Sequence, residues 1–274
     1  MNFLKIKKRI NNLDNIYKIT NALFLVSLIK LKKYKKELSE NSDFNNTITE
    51  ILEKNYSIKK KDSYQNDDND EKKNIEKLFV VITSNVGFCG NYNREIVDYV
   101  DKNVDKNSNI LIIGENGYNL LKKMDYKLFE KFVSYDNDFL SLSKEIFFFA
   151  TEENNFKEIN LIFLKNNNLL SNIVHNYRVF PIDFIDDIDK NNLVIIEPNK
   201  DELLKKITPF YVVNNIYKTI LIAKISEQML RINTMQSAEQ NTKEMIDDLK
   251  NKYNKLRHLK ITQEILENLS TKEV

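Results

Sequence analysis

The fold is decided by residues 3–38, FLKIKKRINNLDNIYKITNALFLVSLIKLKKYKKEL. Taken at alternating steps of three and four residues, this stretch gives one stripe of apolar, aromatic and small hydroxyl side chains. The stripe consists of Phe3, Ile6, Ile10, Leu13, Tyr17, Thr20, Phe24, Ser27, Leu31, Tyr34 and Leu38. A three–four repeat keeps one face of a helix against a partner helix, as in a left-handed coiled coil. The pattern therefore predicts a long coiled-coil helix over residues 1–56.

A second stripe with the same spacing lies in the C-terminal part of the chain. It contains Met235, Ala238, Thr242, Met245, Leu249, Lys252, Leu256, Leu259, Gln263 and Leu266. Pro209 suits the first turn of this helix, where its missing N–H removes no hydrogen bond, and residues 210–274 contain neither Gly nor Pro. We expect a C-terminal helix over residues 208–274 that pairs antiparallel with the first. The alternative, two amphipathic helices in a compact bundle, is disfavoured by the length of both segments.

Between the two helices the pattern changes to short apolar runs that are rich in branched residues. These runs are Leu78–Thr83, Ile110–Ile113, Ile159–Leu164 and Leu193–Ile196, and they are typical of buried strands. Predicted helices at Tyr92–Val104, Gly117–Met124 and Asp138–Thr151 alternate with them. Such alternation predicts a βαβ, Rossmann-like sheet domain over residues 77–207, with Ser171–Ile182 as a further strand at an edge. Residues 57–76 are polar and are expected to form a linker. The predicted fold class is therefore α/β, with a long antiparallel coiled coil added to a central sheet domain.

The composition excludes several classes of protein. The formal net charge is only +2, which gives no general case for binding nucleic acid or a membrane surface. The single cysteine, Cys89, excludes an intramolecular disulfide and suits a reducing compartment. Residues 1–15 lack the apolar segment of a secretory signal, and the most apolar window, residues 21–31, is too short to span a bilayer. We therefore expect a soluble, cytoplasmic protein.

No catalytic, cofactor or metal site is predicted from the side chains. The turn Ser84–Asn91, SNVGFCGN, follows the first predicted strand, where backbone N–H groups can cradle phosphate. Neither this turn nor Gly114–Gly117 matches a P-loop or a G-x-G-x-x-G motif, so tight turns are expected at both. Cys89 has no CxxC partner, and the two histidines, His175 and His258, belong to no cluster of metal ligands.

Three blocks of the sequence resemble the gamma subunit of F-type rotary ATPases. The first is Ile6–Ile10, IKKRI, with Tyr17–Ala22, YKITNA, which is similar to the family's IKRRI and KITKAM. The second is Ser84–Asn93, SNVGFCGNYN, which is similar to SDRGLCGGLN. The third and most specific comprises Ser226, Glu227, Arg231, Met235 and Asn241, then Tyr253–Arg257, YNKLR, and Ile261–Ile265, ITQEI. With the same order of helix, sheet and helix, the resemblance covers essentially the whole chain.

The resemblance implies a rotor shaft with no catalytic residue, cofactor or small-molecule substrate of its own. The coiled coil would stand inside a hexameric ring of ATPase subunits. The sheet domain would form a foot near an epsilon-like subunit and a proton-translocating membrane ring. No nucleic acid partner is implied, and the location would be cytoplasmic, peripheral on the inner face of a bacterial cell membrane.

The resemblance also implies particular contact residues. Contacts with the ring would involve Leu23, Glu227, Arg231, Arg257, His258, Thr262, Gln263 and Glu264, and contacts of the foot would involve Cys89 and Glu197. Arg257 would fork onto carboxylates of a ring loop, a geometry that Lys cannot copy.

Several residues depart from the family pattern. Leu23 stands where the family usually has Met, His258 where it has Gln, and Asn85–Val86 where it has Asp-Arg; Asn91 and Val194 replace Gly and Tyr. Because the departures concentrate in the foot, two interpretations remain open. One is an ordinary proton-coupled ATP synthase, and the other is an F-type-like ATPase whose foot drives something else. Outside the family, the alternatives are a stand-alone coiled-coil scaffold and a nucleotide-binding α/β protein.

Overall fold

The computed structural model describes residues 3–55, 57–58, 76–135, 138–168, 171–182, 184–185 and 200–270. The α-helices in these residues are α1 (Phe3–Asn55), α2 (Tyr92–Asn103), α3 (Glu115–Leu121), α4 (Phe139–Phe148) and α5 (Lys200–Ser270). The strands are β1 (Ser57–Ile58), β2 (Lys77–Ile82), β3 (Asn109–Ile113), β4 (Leu128–Phe129), β5 (Glu158–Asn168), β6 (Ser171–Phe180) and β7 (Phe184–Ile185). The predicted strand Leu193–Ile196 and residues 59–75 of the predicted linker lie outside the described residues.

The chain divides into two compact units. Met1–Ile29 and Arg231–Val274 form one, here called the helix-pair unit, and Lys30–Leu230 form the other, here called the sheet unit. Helices α1 and α5 each contribute residues to both units.

The helix-pair unit is an antiparallel pair formed by α1 and α5. The ring of Phe3 stacks on that of Tyr253 with centroids 4.4 Å apart, and the Tyr17 hydroxyl donates a hydrogen bond to the Glu239 carboxylate. This bond and the charge of Glu239 raise the pKa of Tyr17. The two contacts are 14 residues apart along both helices, from 3 to 17 and from 253 to 239, so the helices run in opposite directions. The predicted stripe positions of α1 from Phe3 to Ser27 are all buried or half-buried, so the coiled-coil prediction is confirmed for this unit. Farther along α1, Tyr34 packs against Phe139 of the sheet unit.

The predicted stripe of α5 is wrong at five of its ten positions, because Met245, Lys252, Leu259, Gln263 and Leu266 are exposed. Met245 and Lys252 are exposed, whereas their neighbours Ile246 and Tyr253 face the partner helix. The inward positions step by four residues twice in succession, from 238 to 242 and from 242 to 246. An α-helix has 3.6 residues per turn, so a strict repeat of 3.5 drifts around it, and an occasional extra four-residue step restores the register.

The sheet unit is built on a five-stranded mixed sheet with the order β4-β3-β2-β5-β6. Strands β2 to β5 are parallel where they pair, and β6 runs antiparallel to β5 at the edge, as predicted for this segment. Alternate residues of the strands face opposite sides: Val80 packs towards α4 and α5, and Val81 packs towards α2. Burial on both faces explains why the strands are continuous apolar runs. The short strands β1 and β7 pair separately, so the segment predicted as a linker starts with two strand residues.

Pro209 does not lie in the first turn of its helix, and that prediction is wrong. Helix α5 extends from Lys200, and Pro209 lies inside it. Proline lacks the N–H that would bond the carbonyl of Lys205. Because Lys205, Lys206 and Phe210 are exposed, water can satisfy that carbonyl, and the helix continues.

The buried histidine of β6 makes the stability of the sheet unit depend on pH. Burial and the nearby Lys165 lower the pKa of His175 below its ordinary value of 6.5. The unfolded chain therefore binds a proton before the folded chain does. Stability is expected to be retained above about pH 6.5 and to fall as the pH decreases towards the folded pKa. Urea unfolding between pH 7.5 and 5.5 should show a flatter pH dependence for His175→Gln than for the parent chain. Parallel curves would contradict this expectation.

Candidate functional site

The turn after β2 is held rigidly by side chains. The Ser84 N–H donates to Asn93 Oδ1 at 3.0 Å, and Asn93 Nδ2 donates back to Ser84 Oγ at 2.8 Å. Cys89, which resemblance assigned to foot contacts, is buried with its Sγ 3.5 Å from Ser84 Oγ. The turn therefore keeps its thiol inside and presents other residues to solvent.

Two apolar side chains point outward from the same turn. Val86 and Phe88 are exposed, Phe88 to 65%. The backbone of Phe88 has a φ of 63°, a left-handed conformation that is uncommon for residues other than Gly. The turn thus exposes the apolar Val86 at the position where the resembled pattern has a charged Arg.

Helix α5 fills the crevice in which α/β sheets usually bind nucleotides. In open α/β sheets, ligands lie at the carboxyl ends of the strands, where the strand order reverses. Here that place is between β2 and β5. Lys224 Nζ donates to the carbonyl of Thr83 at 3.5 Å, and the N–H of Asn166 donates to Ser226 Oγ at 3.0 Å. The occupied crevice argues against the alternative of a nucleotide-binding protein.

Two of the residues assigned to ring contacts lie in the interior. The carboxylate of Glu227 is 3.0 Å from Lys224 Nζ, and both side chains are only 5% exposed. Gln228 Nε2 donates to Glu227 Oε1 at 3.4 Å. Arg231 is also buried, and Leu23 is half-buried. Glu197 lies outside the described residues.

The C-terminal part of α5 is different, since residues 257–266 are all exposed. They include five residues assigned to ring contacts: Arg257, His258, Thr262, Gln263 and Glu264. They also include Leu259, Ile261, Ile265 and Leu266, with exposed fractions of 66%, 41%, 54% and 61%. Leu259 and Leu266 were predicted to pack in the coiled coil, and that prediction is wrong. We call residues 257–266 the helix tip.

A cluster of basic side chains lies next to the helix tip. The stacking of Phe3 on Tyr253 brings residues 3–10 and 247–260 to one end of the helix-pair unit. The exposed basic residues there are Lys5, Lys7, Lys8, Arg9, Lys250, Lys252, Lys255, Arg257 and Lys260, against the acidic residues Asp247 and Asp248. We call these nine residues the basic collar. This end of the helix pair is strongly positive, although the whole chain is nearly neutral.

The sequence patterns did not identify a row of exposed apolar residues on α1. Ile19, Val26 and Ile29 are exposed on the side of α1 away from the coiled-coil stripe, and Ile16 is exposed beside the stripe. Residues 21–31 are apolar on several helix faces. This breadth, which exceeds a single coiled-coil stripe, was the feature of the sequence that could have predicted the exposed row. Contiguous exposed apolar surface of this kind marks sites of protein interaction.

Metal-ligand clusters and membrane-spanning helices are absent from the described ranges. No group of three or more His, Cys, Asp and Glu side chains is placed to hold a metal ion there. Among those same residues, no helix has the combination of length and apolar character needed to cross a membrane.

Comparisons with known proteins define the class to which this architecture belongs. A family model described as ATP synthase matches residues 2–273. The ATP synthase gamma chain of Clostridium pasteurianum is 30% identical over 278 residues, with 98% of this chain and 97% of that protein covered. The gamma chain of Clostridium beijerinckii is 32% identical over 271 residues, with 96% and 95% covered.

A solved structure shares the fold. The rotor of the mitochondrial ATP synthase of Euglena gracilis matches with a TM-score of 0.64 at 15% sequence identity, covering 94% of this chain and 98% of that chain. The chain thus belongs to the ATP synthase class of proteins. It belongs to the ATP synthase gamma-chain family. The family resemblance seen in the three sequence blocks is confirmed.

Proposed function

We propose that the helix-pair unit turns inside a hexameric ring of catalytic and non-catalytic ATPase subunits, which encloses the helix tip. The sheet unit forms the foot, which engages an epsilon-like subunit and a proton-translocating membrane ring. The complex is peripheral on the inner face of a bacterial cell membrane. The coupled work is the synthesis or hydrolysis of ATP by the ring.

The helix tip is the observation that carries this proposal. All ten of its residues are exposed, and four of them are large and apolar. A lone helix of this length is marginally stable in water, and its apolar side chains favour a partner that removes them from solvent. Because exposure extends around the whole helix, the partner that fits best surrounds the tip. A ring of subunits meets that requirement.

The basic collar supports the same arrangement. Nine exposed basic residues at one end of the helix pair fit an acidic partner surface. Charge complementarity of this kind guides association and sets orientation more than it adds affinity. We therefore expect the ring to present carboxylates at the level of the collar, and we expect added salt to slow assembly.

Purification from cells that also express the ring subunits of the same genome tests the proposal. The tagged chain should co-purify with the ring as one copy for each hexamer. Calorimetry should detect no binding of ATP to the isolated chain. A chain that purifies alone, or that binds ATP with measurable heat, would contradict the proposal and favour the scaffold or nucleotide-binding alternative.

A second candidate function has one observation in its favour. The foot turn presents the exposed Val86, next to the exposed Phe88, where the resembled pattern has Arg. An altered foot fits an F-type-like ATPase that drives something other than proton translocation. Complexes extracted from membranes would separate the two candidates, because a proton-translocating ring should accompany the first and be absent from the second.

Arg257→Ala is expected to lower the ATPase rate of the assembled complex severalfold. Arg257 is exposed on the helix tip, and hydrogen bonds to charged groups are worth about 1.5–3 kcal/mol each. Arg257→Lys should not restore the rate, since Lys lacks the planar fork. Lys218→Ala, a change to an exposed basic residue of the same helix outside the basic collar, serves as the control and should stay near the parent rate. Equal effects at both positions would contradict a specific contact.

A further inference from the structure

A short segment of α5 is bonded to three different elements of the sheet unit. The Tyr92 hydroxyl on α2 donates to the carbonyl of Ala223 at 3.3 Å. Lys224 Nζ donates to the carbonyl of Thr83, just past β2, at 3.5 Å. The N–H of Asn166 on β5 donates to Ser226 Oγ at 3.0 Å. We call this set of three bonds the hub contact.

The hub contact holds α5 from several directions. Successive residues of an α-helix are about 100° apart around its axis, so positions 223, 224 and 226 are spread over more than a third of the circumference. Around them, no residue from Thr219 to Leu230 is exposed. The segment is therefore enclosed, and polar bonds fix it on more than one side.

Polar bonds restrain rotation in a way that apolar packing alone does not. The hydrophobic effect is non-directional, whereas a hydrogen bond requires a defined distance and angle. A turn of α5 about its own axis would leave buried donors and acceptors unpaired, which is costly. Lys224 can keep its charge in this buried place because Glu227 lies 3.0 Å away.

Three other buried hydroxyls of the long helices donate to a carbonyl of their own helix. Thr219 Oγ1 donates to Asn215 O at 2.8 Å, and Thr242 Oγ1 donates to Ala238 O at 2.6 Å, both within α5. In α1, Ser27 Oγ donates to Leu23 O at 2.8 Å. These bonds would survive a rotation of the helix as a rigid body, so they provide matched controls for the hub contact.

We propose that the hub contact transmits torque, because it fixes α5 against rotation relative to the foot. Tyr92, Lys224 and Ser226 are then positioning residues of the rotor. This inference rests on the proposed rotor function and adds the place at which the shaft helix and the foot are fastened together.

The test compares variants in the assembled ring–rotor complex. Tyr92→Phe combined with Ser226→Ala removes two of the three bonds and leaves the Lys224–Glu227 pair intact. Thr219→Val is the control, and Tyr92→Phe with Ser226→Thr tests recovery when a hydroxyl is retained at position 226. The ring is immobilised and a bead is attached through Lys106→Cys, an exposed position, while Cys89 is buried and protected from the label. Rotation of beads of increasing size is measured beside the unloaded ATPase rate.

The double variant should keep an unloaded ATPase rate within about twofold of the parent, while its rotation under the largest load falls by about threefold or more. Thr219→Val should behave as the parent, and Ser226→Thr should recover most of the loss.

Unchanged rotation under load would overturn the proposal. An equal loss in Thr219→Val, or a loss in proportion to a smaller amount of assembled complex, would overturn it as well. If the double variant fails to assemble, Tyr92→Phe alone carries the same test. A parent chain that neither assembles nor rotates would refute the rotor function itself, whereas a rotating parent with indistinguishable variants would refute only the hub contact.

Discussion

Gly114→Ala is expected to destabilise the sheet unit by about 2–4 kcal/mol. Gly114 has a φ of 108°, which residues with a Cβ rarely adopt. A Cβ at this position would lie 2.5 Å from Thr83 Oγ1 and 2.6 Å from the carbonyl oxygen of Thr83. The backbone of Thr83 cannot withdraw, because its N–H and its hydroxyl both bond the carbonyl of Ile113 at 2.8 Å. Urea unfolding measures the loss.

Gly87→Ala is the matched control for that prediction. Gly87 lies in the turn after β2, and no atom lies within 4 Å of the place where a Cβ would stand. The same substitution there should change the free energy of unfolding by no more than about 0.5 kcal/mol. Equal losses at both positions would contradict the role assigned to the close approach at Thr83.

The second large effect is expected at the helix tip. Leu259→Asp combined with Ile265→Asp should weaken binding of the chain to the ring by about tenfold or more, because the ring that encloses the tip would have to bury two carboxylates. The isolated chain should be as stable as the parent, since both residues are more than half exposed. Binding to the ring is measured with the purified chain by titration.

A control for the tip variant comes from the sheet unit. Leu140 and Phe148 on α4 are exposed apolar residues as well, to 43% and 55%. Leu140→Asp with Phe148→Asp changes charge and apolar surface by a similar amount, away from the helix tip. This pair should leave ring binding near the parent value. Equal weakening by both pairs would show that net charge, not enclosure of the tip, controls assembly.

The sequence alone predicted the first helix well and the last helix less well. In α1, every stripe residue is inward, and the lysines beside it, such as Lys7 and Lys32, are exposed. In α5, the apolar neighbours Met245 and Ile246 fit two different frames, and periodicity cannot choose between them. In the structure, Ile246 packs inward and is buried, whereas Met245 is exposed. The same limit applies to Pro209, where a local rule about first turns gave way to a longer helix.

For the candidate site, too, the sequence predicted some features and could not predict others. Arg257 and Glu264 are exposed on the C-terminal part of α5, and their assignment to ring contacts stays a prediction. The buried Glu227 pairs with Lys224, three residues earlier. Lys224 and the neighbouring Ser226 are in turn bonded to Thr83 and Asn166, which are distant in the sequence. No pattern in one sequence reports contacts over such separations. The hub contact was therefore visible only after the sheet and α5 had been placed together.

Direct observation of rotation is the sharpest test of the rotor account. The ring is fixed to a surface, and a bead is attached to the foot at Lys106→Cys, an exposed residue of the sheet unit. On addition of ATP, the bead is expected to turn in one direction, to stop when ATP is removed, and to turn more slowly as the bead is enlarged. A chain that is bound to an ATP-hydrolysing ring while its bead stays fixed would contradict the account.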